Sequence, residues 1–187
     1  MELSKEKSRG IVLSAAALTG LLLVFTNVAL AQQRYPIEEK PEWSTGKYIQ
    51  QHAIEVGDVP GHKVRILELH YVYNEKSEFA VSGVKVKEAW VRAYTDYTNG
   101  KGRSWGYGQW VLADGSKVFL ESSGTTLAEP TATGSIRGSY HGVSRLTGGT
   151  GKYSRIRGTI AEINDFDSDP KTGYNRSESK GEYWFEE

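Results

Sequence analysis

Polar and apolar residues alternate along most of the chain after residue 47, and this period of two predicts β-strands. Turn residues separate eight segments of strand length. Asp114-Gly115 lies between two of them and favours a tight hairpin, because both turn residues tolerate positive φ. No segment in this part of the chain has an apolar stripe of helical period. The predicted strands are 48–56, 63–73, 84–97, 104–112, 117–123, 135–146, 157–165 and 179–185.

Glycine is concentrated in the second half of the chain, where 15 of the 21 glycines lie between Gly100 and Gly181. Glycine inside a strand marks a bend, a bulge or a close backbone approach. Eight evenly spaced strands without helices, bent at such points, favour an eight-stranded antiparallel up-and-down barrel over a sandwich. The glycines inside predicted strands include Gly106, Gly108, Gly138, Gly142 and Gly158.

The first 31 residues have the pattern of a secretory signal peptide. A slightly basic start precedes an apolar run, and Ala29-Leu30-Ala31 supplies the small residues that a signal peptidase recognises. We therefore predict cleavage after Ala31, secretion or a periplasmic location, and no membrane attachment afterwards. An uncleaved anchor is the alternative, because residues 11–31 are long enough to span a bilayer. The predicted organisation is a signal peptide (1–31), an extended leader packed through Trp43 (32–47) and a barrel domain (48–187).

Composition and charge exclude several classes of protein. The chain has 23 basic and 23 acidic residues, and removal of residues 1–31 leaves 20 and 21. This balance argues against binding to nucleic acid. The absence of cysteine excludes disulfides, iron–sulfur clusters, thiolate zinc sites and a cysteine nucleophile. His52, His62 and His141 lack the spacing of metal ligands. We therefore predict no metal site and no cofactor.

Two short motifs have simple alternatives to a functional role. Gly151-Lys152 is followed by Tyr153, whereas a phosphate-binding loop needs Ser or Thr at that place and a helix after it. Nucleotide binding is therefore not predicted. Asn175-Arg176-Ser177 fits a glycan acceptor, which matters only in a eukaryotic secretory host.

The run LTGGTGKYSRIRGTI, from Leu146 to Ile160, resembles a motif of the allene oxide cyclase and dirigent barrels. The resemblance is specific over about residues 134–160 and architectural elsewhere. It implies an eight-stranded antiparallel barrel with an apolar cavity. The family includes cyclases, guides of radical coupling and bacterial members without assigned activity, and some members form dimers or trimers. The upstream strands match no motif that would transfer a catalytic residue. The glycines allow unusual backbone angles, and the tyrosine can plug the barrel end. The positions expected to shape this turn are Gly148, Gly149, Gly151, Tyr153 and Gly158.

Three predicted strands have a face that combines charged and aromatic side chains. If these faces point inward, they form a pocket for an aromatic or unsaturated apolar ligand with one polar group. A buried carboxylate or histidine in it could act as an acid or base. An internal ion pair between Glu88 and Arg92, or a solvent-facing row, is the alternative. The catalytic candidates are Glu68, His70, Glu88 and Arg92. The ligand-binding candidates are Trp90, Tyr94, Trp105 and Tyr107.

Three functions are compatible with these patterns. The first is an exported barrel that holds a small apolar or aromatic molecule in its cavity. The second is a cofactor-free cyclase or isomerase that steers a reactive substrate by cavity shape. The third is a non-catalytic structural or interaction barrel, whose outward aromatic residues build a homo-oligomer. The residues alone leave open whether the protein is an enzyme.

Overall fold

A computed structural model describes residues 32–187, and the predicted signal segment lies outside the described residues. All eight predicted strands are present, and two short strands accompany them. This part of the chain has no α-helix, and so none that could span a membrane. Two single turns of 3₁₀ helix, Pro41–Trp43 and Gly151–Tyr153, complete the structure. The strands are β1 (Tyr35–Glu39), β2 (Ser44–Glu55), β3 (His62–Tyr73), β4 (Ala80–Val81), β5 (Val84–Thr98), β6 (Lys101–Leu112), β7 (Lys117–Pro130), β8 (Ile136–Gly149), β9 (Ile156–Asp167) and β10 (Tyr174–Phe185).

The predicted leader contains more regular structure than expected. β1 lies wholly within it and pairs with β10, and β2 begins within it at Ser44. Pro36 occupies an edge strand, the position in a sheet where proline is best tolerated. A five-residue strand that contains proline shows too little alternation to be recognised from sequence. Trp43 is buried in the core, as predicted.

The strands form one antiparallel sheet in the order β1-β10-β9-β8-β7-β6-β5-β3-β2, and β4 pairs with β5 beside this path. Within residues 32–187 no backbone ladder joins the terminal strands β1 and β2 to each other. Side chains nevertheless connect the two ends of the strand order. The Tyr71 hydroxyl on β3 donates a 3.0 Å hydrogen bond to Oδ1 of Asn175 on β10. The sheet therefore curves far enough to bring side chains of β3 and β10 into contact.

A β-bulge between Val86 and Glu88 changes which residues of β5 face inward. Val86 is buried before the bulge, whereas Ala89 and Thr95 are buried after it. A single inserted residue reverses the inward and outward positions of a strand, because successive side chains point to opposite faces. Simple alternation predicts Val86 and Glu88 on one face, and the bulge overturns that prediction.

Glycines inside the strands lie where neighbouring backbones come close. A Cβ atom on Gly138 would lie 2.5 Å from the carbonyl oxygen of Leu127, and one on Gly158 would lie 2.6 Å from that of Glu182. A larger residue at either position would therefore push adjacent strands apart. This is the close backbone approach that glycine in these strands predicts.

One end of the curved sheet is filled by a packed core. Phe79 and Val81, from the β3–β5 connection, are almost completely buried there. Phe79 contacts the Trp110 ring edge to face, with the ring centroids 4.9 Å apart. Tyr153 is fully buried at the same end and donates a 3.3 Å hydrogen bond to the carbonyl of Val81. Gly151, with φ of +55°, begins the 3₁₀ turn that delivers Tyr153.

Candidate functional site

A cavity of about 430 Å³ lies against the concave face of the sheet, beyond the packed core. Two exposed residues border the open end of the cavity. They are Ile136, where β8 begins, and Ser168, which follows the end of β9. Apolar and aromatic side chains form most of the wall, which suits a small organic molecule. Representative wall residues are Leu67, Leu69, Tyr71, Trp110, Tyr140 and Phe166.

Most of the cavity wall is formed by the strand faces opposite to those that carry the predicted site residues. On β3, Leu67 lines the cavity and is 5% exposed, whereas its neighbour Ile66 is 63% exposed. Alternation therefore places Glu68 and His70 on the outer face of the sheet. The structure therefore corresponds to the alternative stated above, in which the charged and aromatic faces point towards solvent. Of the eight predicted site residues, Trp90 and Trp105 also border the cavity.

The four charged candidates do come together, as a cluster on the outer face of β3 and β5. Nη2 of Arg92 lies 2.7 Å from Oε1 of Glu68, its cross-strand neighbour. Nε2 of His70 lies 3.1 Å from Oε2 of Glu88, which also accepts a 3.1 Å hydrogen bond from the Trp90 indole. The rings of His70 and Trp90 stack with centroids 4.0 Å apart. Glu88 therefore pairs with His70, and Arg92 pairs with Glu68.

The remaining aromatic candidates extend this outer cluster onto β6. Tyr94 and Trp105 are cross-strand neighbours whose ring centroids lie 4.5 Å apart. Trp105 is 47% exposed and Tyr107 is 67% exposed, so both offer ring surface to the outside. Exposed aromatic surface of this kind is typical of contact sites rather than of a protein core.

Glu162 on β9 lines the cavity and was missed by the sequence analysis. Burial raises the pKa of its carboxyl group to about 7, and the nearby carboxyl group of Glu39 contributes to the rise. Ser144 and Ser122 act in the opposite direction and lower the pKa. The Ser144 hydroxyl donates to Oε1 of Glu162 at 2.6 Å. The sequence contained a signal for this position, because alternation places Glu162 on the same strand face as Ile160, which is buried.

Glu39 on β1 is a second carboxyl group in the cavity wall. It is 3% exposed, and burial raises its pKa against the hydrogen bonds that it receives. Four hydroxyl groups from three strands donate to it: Ser179 at 2.7 Å, Tyr73 at 2.8 Å, and Ser44 and Ser177 at 3.2 Å. Glu39 thus has its hydrogen-bonding capacity filled by protein.

An amide and phenol network lies beside these carboxyl groups. Asn164 donates from Nδ2 to Oδ1 of Asn175 at 2.7 Å and to the Tyr71 hydroxyl at 3.1 Å. Burial is the main reason that the pKa of Tyr71 stands well above 10, so its hydroxyl is neutral. Asn175 is 9% exposed and its Oδ1 accepts two hydrogen bonds, so the glycan acceptor pattern at this position lies in the protein interior.

Arg65 is the one basic side chain among the described residues that line the cavity. Its Nη1 donates to Oε1 of Gln51 at 3.0 Å, and its guanidinium group lies 5.6 Å from the Tyr48 ring centre and 5.7 Å from that of Tyr97. Thr95, also in the wall, has a buried hydroxyl without a hydrogen-bond partner in residues 32–187. The wall therefore combines an apolar lining with a few polar groups.

The arrangement can hold an apolar body and offer it a titrating carboxyl group. Across residues 32–187, no group of three or more histidine, aspartate or glutamate side chains is placed to hold a metal ion. No known protein family matches this chain, and no curated protein matches it either.

Proposed function

We propose that the protein is an exported barrel that binds a small apolar or aromatic molecule, bearing one polar group, in its cavity. The observation that carries this proposal is the cavity of about 430 Å³ with an apolar and aromatic wall and isolated polar groups. Ligand sites in proteins commonly have this composition, because apolar surface supplies affinity and a few polar groups orient the ligand.

Two further features support the barrel and its likeness to the allene oxide cyclase and dirigent type. The eight long strands follow one another as neighbours in the sheet, and side chains of β3 and β10 meet across its two ends. Within the motif from Leu146 to Ile160, the buried ring of Tyr153 is consistent with the expected plug. The apolar segment at 1–31 and its small residues support export.

Binding of diphenylhexatriene, an uncharged probe that fluoresces when buried, tests the cavity. Ala93→Phe adds a ring to the cavity wall, whereas Ile66→Phe changes the outer face of the same sheet. We expect Ala93→Phe to weaken binding at least about tenfold, or ~1.4 kcal/mol, and Ile66→Phe to leave it unchanged. Equal effects of the two substitutions, or no saturable binding, would refute the proposal. Native mass spectrometry of protein from its own host then identifies the natural ligand.

Glu162 favours a second candidate function, a cofactor-free cyclase or isomerase. Its carboxyl group faces the cavity and has a pKa of about 7, which suits proton transfer near neutral pH. With the copurifying molecule as substrate, Glu162→Gln should abolish turnover and keep affinity within about tenfold. Glu88→Gln and His70→Ala, on the outer face, test the catalytic roles first predicted. Loss of turnover in these two variants, but not in Glu162→Gln, would favour the outer cluster as the catalytic site.

The exposed rings of the outer face favour a third candidate, an interaction barrel that forms homo-oligomers. Trp105 and Tyr107 combine large exposed rings with a rigid strand, a composition that is enriched at protein interfaces. Sedimentation equilibrium of the parent chain and a Trp105→Ala, Tyr107→Ala double variant tests this candidate. A parent that remains monomeric at all concentrations would exclude it.

A further inference from the structure

Neither carboxyl group of the cavity has a cationic partner within the described residues. Glu39 is bonded by four hydroxyl groups. Glu162 accepts a hydrogen bond from Ser144, whose hydroxyl group is bonded to that of Ser122. Buried carboxyl groups in proteins are normally paired with a cation, because an isolated negative charge is poorly solvated there. The cavity wall therefore carries two acidic groups whose counter-charge is not supplied by the surrounding side chains.

Arg65, the basic residue among the described residues that line the cavity, lies on β3 and away from the two carboxyl groups. Arg65 precedes Tyr71 by six residues on β3, about 20 Å along an extended strand. Tyr71 reaches Asn164, two residues from Glu162 on β9. Arg65 is itself engaged by Gln51 and flanked by two tyrosine rings. It therefore serves one part of the cavity, and the carboxyl groups serve another.

The two carboxyl groups differ in what they can still accept. Glu39 is 3% exposed, and its four hydroxyl donors leave no room for a ligand. Glu162 is only partly buried and lines the cavity, so a bound molecule can reach it. Tyr140 and Phe166 are aromatic residues of the same wall, and the faces of aromatic rings attract cations. Glu162 is thus the point of contact, and the nearby carboxyl group of Glu39 raises its pKa further.

We infer that the cavity ligand is an aromatic or apolar amine, whose protonated amino group pairs with Glu162 while its body packs on the aromatic wall. This inference rests on the proposed function of the cavity. An ammonium group supplies the missing positive charge and donates hydrogen bonds to the carboxylate. A ligand carboxylate would be repelled by both acidic groups, and an alcohol would leave the negative charge uncompensated.

The inference predicts a specific pH dependence of affinity. An ammonium ion favours the ionised form of Glu162, so binding below about pH 7 releases a proton, and affinity rises as pH approaches this value. Burial holds the pKa values of the neighbouring tyrosines above 10, so these groups stay neutral over this range. Besides Glu162, the titratable or charged groups that line the cavity are Glu39, Tyr48, Arg65, Tyr71, Tyr73, Tyr97 and Tyr140.

Three indole compounds of similar size separate the possible ligand classes: tryptamine, tryptophol and indolepropionate. Their affinities are measured by calorimetry on the purified full chain at about pH 8, with displacement of diphenylhexatriene to locate binding in the cavity. We expect tryptamine to bind at least about tenfold more tightly than tryptophol, and indolepropionate to bind most weakly. Glu162→Gln should remove the advantage of tryptamine and change tryptophol affinity less than about threefold. Should this variant fail to fold, the rise of tryptamine affinity between about pH 5 and pH 8 in the parent chain is the test.

Different results separate failure of this inference from failure of the proposed function. If diphenylhexatriene binds in the cavity but tryptophol or indolepropionate matches tryptamine, the amine inference is wrong and the binding function stands. Tryptamine binding that does not displace the probe, or that does not rise with pH, also overturns the inference. If neither the probe nor any indole compound binds, both proposals fail.

Discussion

The hydroxyl group of Tyr73 donates a 2.8 Å hydrogen bond to the carboxyl group of Glu39 and so links β3 to β1. These strands lie near opposite ends of the strand order, and both residues are buried. Sequence position gives no hint of this contact, because 34 residues separate the two groups. The bond is one of four that hold a single carboxyl group where the ends of the sheet meet.

Removal of this hydroxyl should destabilise the fold. Tyr73→Phe leaves the ring in place and deprives buried Glu39 of one donor, at a cost of about 1–3 kcal/mol. Urea denaturation measures the free energy of unfolding. Tyr107→Phe, at a position that is 67% exposed, is the matched control and should change it by less than about 0.5 kcal/mol. Equal stability of the two variants would mean that the bond contributes nothing.

Glu162 should make the protein less stable as pH rises through the weakly acidic range. Its pKa is about 7 in the fold against 4.5 for an ordinary glutamate, so the folded state binds more protons between these values. Stability therefore falls from about pH 4.5 to about pH 7, by on the order of 3 kcal/mol for this group, and is level above.

The comparison of the parent chain with Glu162→Gln isolates this contribution, because all other ionisable groups are shared. The difference between their free energies of unfolding, measured by urea denaturation at a series of pH values, should change over this range. A difference that is constant with pH would show that Glu162 titrates as an exposed glutamate does.

His62 should titrate above the ordinary histidine value of 6.5. Hydrogen bonds to Asp96 and Asp58 raise its pKa, with nitrogen–oxygen distances of 2.8 Å and 2.6 Å. The stabilisation from the protonated ring is fully present below pH 6.5 and is lost as pH rises through the folded-state pKa. In the Asp96→Asn variant, NMR titration should give a His62 pKa closer to 6.5. Asp165→Asn, on β9, is the control and should leave it unchanged.

Gly124 on β7 should tolerate no side chain. A Cβ atom there would lie 2.6 Å from the Tyr140 ring and 2.7 Å from the Cα atom of Gly142. Gly124→Ala should therefore cost about 1–3 kcal/mol of unfolding free energy, since the neighbouring strand must shift. Thr125→Ala, on the exposed face of the same strand, should cost less than about 1 kcal/mol. A neutral Gly124→Ala variant would show that the sheet adapts locally.

The strands themselves were predictable from local chemistry. All eight long strands overlap the segments that alternation and turn residues predict, although β7 continues to Pro130 and β10 begins at Tyr174. The glycines inside them mark close backbone approaches. Short β1 escaped detection because it spans five residues and contains a proline. These features depend on a few consecutive residues, so they can be recognised without knowledge of the rest of the chain.

The direction of each face was not predictable in the same way. A period of two defines two faces per strand, and here both carry apolar side chains, as buried Leu67 and exposed Ile66 show. The bulge near Val86 then exchanges inward and outward positions within β5. The charged cluster around Glu88 consequently lies outside, although its residues do contact one another.

By itself the sequence determined an all-β chain, its strand positions, and the places where adjacent backbones must approach closely. Only the tertiary structure decided that Glu39 and Glu162 face one cavity, because curvature of the sheet brings β1, β3, β9 and β10 together. Alternation acts between neighbours in the chain, whereas the pKa of a cavity carboxyl group depends on burial created by distant strands. The candidate chemistry of this protein therefore arises from contacts that no local pattern encodes.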